Sequence, residues 1–81
     1  MSLAREKKLW LIITFPTTTA AMAMEKLCME QGLTGRLIPV PREISAGCGM
    51  SWRAPVEEKD RLTATAQQAS IAIENTYEIM L

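Results

Sequence analysis

Residues 8–15, Lys-Leu-Trp-Leu-Ile-Ile-Thr-Phe, make a short run rich in β-branched and aromatic side chains, bounded by charge on one side and by Pro16 on the other. That composition and length predict a β-strand. Alternation puts Leu9, Leu11, Ile13 and Phe15 on one face and Trp10, Ile12 and Thr14 on the other. Both faces are largely apolar, so the strand has to be central in its sheet, covered by neighbours rather than left at an edge. The rest of the chain must supply those neighbours.

Pro16 ends the strand, and the hydroxyls of Thr17, Thr18 and Thr19 are able to cap a helix. Ala20, Ala23, Met24, Leu27 and Cys28 then recur at helical spacing as one apolar stripe. The helix is predicted to reach Gln31, with Gly32 as its left-handed C-terminal residue. Cys28 belongs to that stripe and is expected to be a small buried hydrophobe. Residues 35–40 predict a second strand, and Pro39, which has no N–H for a ladder bond, confines it to an edge or a strand end. Residues 42–49 are a loop and 50–54, centred on Trp52, a third strand. Pro55 suits the first turn of a second helix, where Glu57, Glu58 and Asp60 complement the dipole, and Leu62, Ala66 and Ala69 give it a narrow apolar face. A last strand occupies residues 77–81, beginning as early as Asn75, with Tyr77, Ile79 and Leu81 on one face. The order β-α-β-β-α-β predicts an α+β, ferredoxin-like two-layer sandwich: two helices on one face of a four-stranded antiparallel sheet. Residues 1–81 are expected to form a single domain, with 1–7 a flexible or partly vector-derived leader.

Several chemistries are excluded. The chain has no histidine, which removes Cys-His nucleophilic catalysis, histidine general-base chemistry and the usual His-containing zinc sites within one chain. Its two cysteines, Cys28 and Cys48, form no C-x-x-C pair, and reduced thiols in a cytoplasmic protein are the simpler expectation. No cofactor or metal site is predicted. Arg5, Lys7 and Lys8 ahead of an apolar run give a shallow likeness to an export signal, but Pro16 and the threonines interrupt it. No stretch approaches the ~20 apolar residues needed to span a bilayer.

The formal net charge is zero, so no global field recruits nucleic acid or an anionic membrane. The charges are nonetheless segregated: seven basic residues stand against four acidic ones up to Val56, and from Glu57 onward two basic residues stand against five acidic ones. Cys48 lies in the positive part, with Arg42 and Arg53 near it in sequence, and nearby cations favour a thiolate. In a chain this small the core is thin, and a homodimer interface would add stability.

The segment 37–49, Leu-Ile-Pro-Val-Pro-Arg-Glu-Ile-Ser-Ala-Gly-Cys-Gly, is the candidate site. Cys48 sits between Gly47 and Gly49, so no neighbouring side chain shields the thiol, and both glycines permit positive-φ backbone. Three functions fit these residues. In a single-cysteine sulfur or selenium carrier, Cys48 is the loaded thiol, Arg42 stabilises its charge, and Ser45, Gly47 and Gly49 supply donors and backbone geometry. In a non-catalytic interaction or regulatory module the proline-rich edge recruits a partner strand. In a redox- or metal-responsive homodimer two copies of Cys48 meet.

The same segment resembles the signature of a family of small bacterial proteins described as putative selenium/sulfur carrier protein-like. The opening strand ending in Phe15, the helix after it, Gly32 before the second strand and the closing strand with Tyr77 are similar to that family over nearly the whole chain. Its motif positions fall on Pro39, Pro41, Arg42, Ser45, Cys48 and Gly49. The resemblance implies a carrier rather than an enzyme, with sulfur or selenium donor and acceptor proteins as its partners.

Overall fold

The computed structural model describes residues 7–44 and 47–81. The opening apolar run forms β1, Leu9–Thr14, and Phe15 follows it fully buried. α1, Thr18–Gln31, begins where the Thr17 hydroxyl accepts the Ala20 N–H at 3.1 Å. It ends at Gly32, whose φ of 67° turns its N–H back onto the Cys28 carbonyl. These are the cap and stop that the threonines and the glycine predict. β2, Arg36–Pro39, and β3, Met50–Pro55, pair as an antiparallel hairpin. A 3₁₀ turn, Val56–Glu58, leads into α2, Lys59–Gln68, and β4, Asn75–Met80, closes the chain.

β1 pairs antiparallel with both β3 and β4, giving the sheet order β2-β3-β1-β4. The apolar run is therefore central, as its two-sided character requires, and β2 with Pro39 is an edge. Leu11, Ile13 and Phe15 meet Trp52 and Ala54 of β3, Ala21, Met24 and Cys28 of α1, and Leu62 and Ala66 of α2 in one core. Both helices thus lie on the same face, and the molecule is an α+β, ferredoxin-like sandwich. α2 is anchored mainly through Leu62, whose complete burial stabilises by about 1.5–3 kcal/mol.

Four details depart from the sequence reading. Ala23 is exposed and Ala21 is buried. Met24 and Cys28 fix which side of α1 faces the sheet, and around them the buried stripe is rotated by roughly 60° from the predicted one, at about 100° per residue. Ala69 does not extend the apolar face of α2; it is an exposed C-cap residue whose N–H bonds the Thr65 carbonyl at 3.1 Å. Pro55 is the last residue of β3, paired with Trp10, and not a helix residue. A strand end tolerates its missing N–H as well as a first helical turn does. The second strand is also shorter than residues 35–40: Gly35 has a φ of 125°, outside the strand region, and Val40 leaves the ladder while its N–H still bonds the Gly49 carbonyl at 3.0 Å.

Gly35 also shapes the core. Trp52 donates its indole N–H to the Thr34 carbonyl at 3.2 Å, and a Cβ on Gly35 would collide with that indole ring. The close approach is what lets the indole be both buried and hydrogen-bonded.

The second face of the sheet carries no helix. Register places Trp10, Ile12 and Thr14 there beside Ser51 and Arg53 of β3, Arg36 and Ile38 of β2, and Asn75, Tyr77 and Ile79 of β4. Ile12 has Arg53 on one side and Tyr77 on the other and is completely buried between them. Thr14 is tied to β4 by accepting the Asn75 N–H at 3.1 Å, and Ser51 donates to the Ile38 carbonyl at 3.4 Å.

Candidate functional site

The β2–β3 hairpin positions Cys48. Its ladder closes at Pro39 and Met50, and the Val40 N–H to Gly49 carbonyl bond carries the closure one residue further. Beyond that point Pro41 accepts the Ile44 N–H at 2.9 Å, so Arg42 and Glu43 stand at the exposed corners of a turn. Gly49 has a φ of 77°. This left-handed residue reverses the backbone between Cys48 and β3 and turns the Met50 N–H toward the cysteine.

The outcome is a compact sulfur environment. The Met50 N–H donates to Cys48 Sγ at 3.5 Å, and the Cys48 thiol donates to the Met50 carbonyl at 3.3 Å. The thiol is half-buried and packs against the margin of the core beside Met50. The N–H meets the sulfur's lone pairs and the carbonyl meets its proton, so the backbone of one residue supplies both a donor and an acceptor to the thiol. The sulfur is therefore less bare than two flanking glycines suggest.

The candidate residues are not all drawn together. Gly49 takes the positive φ expected of it, whereas Gly47 is exposed and does not. Arg42 is exposed on the turn and donates no hydrogen bond to Cys48, whose polar contacts among the described residues run to Met50. Ser45 lies outside the described residues. Met50 is the donor that the sequence reading missed; its signal is a glycine between a cysteine and the first residue of a strand, a spacing that folds the strand's first N–H back.

The second cysteine provides the contrast. Cys28 is 1% exposed in the core face of α1, and burial pushes its thiol up to about 11. A thiol so placed is neither ionised nor reachable at neutral pH. No disulfide joins the two residues. Among the described residues no group of three or more cysteines and carboxylates is placed to hold a metal ion. No helix among them is long and apolar enough to cross a membrane.

No match was found among curated proteins or among solved structures. A family model does match, over residues 11–78, from the first buried residue of β1 into β4 and across the whole Cys48 hairpin. With that much of the chain covered, the protein belongs to the family described as putative Se/S carrier protein-like.

Proposed function

We propose that this protein carries a single sulfane sulfur or selenium atom on Cys48. The observation that carries the proposal is the Met50 N–H directed at Cys48 Sγ, a fixed donor for a thiolate and for the persulfide that replaces it. The family membership and the withdrawal of Cys28 into the core support the same choice of thiol.

Loading is an exchange between sulfurs. The Cys48 thiolate attacks the outer sulfur of a donor cysteine persulfide; the new S–S bond forms as the donor's S–S bond breaks, and the donor leaves as a thiolate. One cysteine sulfur gains the sulfane atom that the other loses, so no external oxidant or reductant is needed. Selenium transfers in the same way from a donor that presents it as a selenosulfide. Unloading repeats the exchange with an acceptor protein's thiolate. No histidine base is required, because the nucleophile enters as an anion. In this reading Arg42 contributes positive charge, Ser45 and the backbone at Gly47 contribute donors in the bound complex, and Gly49 holds the reversed backbone. The partners are donor and acceptor proteins.

The test is intact-mass analysis after incubation with a cysteine desulfurase and cysteine. The wild-type chain and Cys28→Ser should gain the mass of one sulfur atom, removable by reductant, and Cys48→Ser should gain none. Absence of added mass on wild type, with an established carrier labelled in parallel, refutes the proposal.

A further inference from the structure

The helix-free face of the sheet has a charge pattern that the fold itself does not explain. Arg36 and Arg53 are direct cross-strand partners on β2 and β3, where like charges destabilise a pair. Lys8 is hydrogen-bonded to Leu81 as the next rung of the β1–β4 ladder, on the same side as Trp10. None of the described strand positions on this face is acidic. The ion pair found among the described residues, Arg61 to Glu58 at 3.7 Å, lies elsewhere, so among the described residues these three cations have no carboxylate partner.

Their positions are set by an aromatic ring. The Arg53 guanidinium stacks on the Trp10 ring at 4.2 Å, and the Lys8 ammonium lies 4.6 Å from the same ring's centre. Arg53 Nε is buried and makes no hydrogen bond. Stacking, with the side-chain stem lying over apolar Ile12, therefore orients this arginine while its hydrogen-bonding capacity is incompletely used. Around it Ile38, Tyr77 and Ile79 are half-buried, an apolar margin that both helices leave uncovered.

We infer that this face docks an acidic protein segment: carboxylates engaging Arg53, Arg36 and Lys8, with apolar side chains of the segment lying on Tyr77 and Ile79 at the β4 edge. Charge complementarity selects that occupant. A second copy apposed through the same face would set three cations against three more. Single-stranded nucleic acid requires free aromatic faces and a positive track, but Trp10 already holds two cations and the chain as a whole is neutral. The surface lies across the sheet from the core that Cys48 borders, so this inference and the carrier reading stand or fall separately.

The experiment uses the full chain labelled with ¹⁵N and titrated with a synthetic peptide whose apolar centre is flanked by glutamates. Saturable shifts of the Trp10 indole N–H and the Arg53 Nε–H, an affinity that falls with salt, and no binding of the lysine-flanked counterpart are expected. Arg53→Met, which keeps an apolar stem over Trp10, should weaken binding about tenfold or more, as for loss of a charge-assisted hydrogen bond. Arg36→Gln, on an exposed edge strand and harmless to the core, should weaken it severalfold. No saturable binding, shifts confined to other surfaces, or affinity unchanged in both variants overturns the inference. So does tighter binding of a single-stranded oligonucleotide through the same residues, or a concentration-dependent dimer that buries them.

Discussion

Native-state alkylation provides a direct test of whether Cys28 is packing, withdrawn from the chemistry proposed for Cys48. Cys28 has 1% of its surface exposed and a pKa of about 11. At about pH 7.5 such a thiol is roughly 0.03% thiolate, against roughly 3% at the ordinary value of 9.0 from which burial raises it. Ionisation alone therefore slows its reaction with iodoacetamide about 100-fold, and burial slows it further, since the reagent must await an opening of α1 from the sheet. The reference is the same residue in the urea-unfolded chain. Quenched samples followed by intact mass and peptide mapping should show one adduct, on Cys48, long before a second. Cys28 should label only on unfolding or as the pH is raised well above 9. Comparable rates for both residues in the folded protein, or a first adduct on Cys28, would refute the assignment of Cys28 to the core.

The same thiol gives a stability signature. Its folded pKa lies above the unfolded value, so its contribution is complete below about pH 9 and is lost as pH rises toward 11, at up to about 1.4 kcal/mol per pH unit. Urea midpoints across that window should fall more steeply for wild type than for Cys28→Ala; parallel profiles would contradict it. Gly35→Ala combines a positive-φ penalty of about 1 kcal/mol with about 1–3 kcal/mol of crowding against Trp52 and the Arg53 carbonyl. A loss of about 2–4 kcal/mol in chemical denaturation is expected, with a changed Trp52 environment by fluorescence, and a loss below 1 kcal/mol would show that the indole moves aside freely. Gly49→Ala meets no atom within 4 Å and bears only the backbone term, about 1–2 kcal/mol. It should cost less stability than Gly35→Ala yet disturb sulfur loading more, because Gly49 sets the Met50 N–H against Cys48; unchanged loading would separate that contact from function.

The order of elements was written into local sequence. A seven-residue run, 9–15, with both faces largely apolar had to be a central strand, Thr17 and Gly32 marked where α1 starts and stops, and Pro39 kept β2 at an edge. Each of these depends on residues within a few positions of one another, where steric limits, cap hydrogen bonds and alternation act directly. The isolation of Cys48 was legible too, since Cys28 fell on a helical stripe and the chain has no histidine.

What tertiary structure alone decided is which of several locally equivalent choices is used. Ala21 and Ala23 are the same small residue with the same helix propensity, and only the sheet against which Met24 and Cys28 pack selects one for burial. Gly47 and Gly49 are equally free to adopt positive φ, but closure of the hairpin between Val40 and Gly49 imposes it on Gly49. Alternation separated the two faces of β1 without telling which one the helices cover. Helix packing settled that, leaving Trp10 with Arg53 and Lys8 on the uncovered side. Arg36 and Arg53 are far apart in the chain and meet only through strand register. Local sequence fixes which conformations are allowed; long-range pairing and packing determine which side chains those conformations bring together.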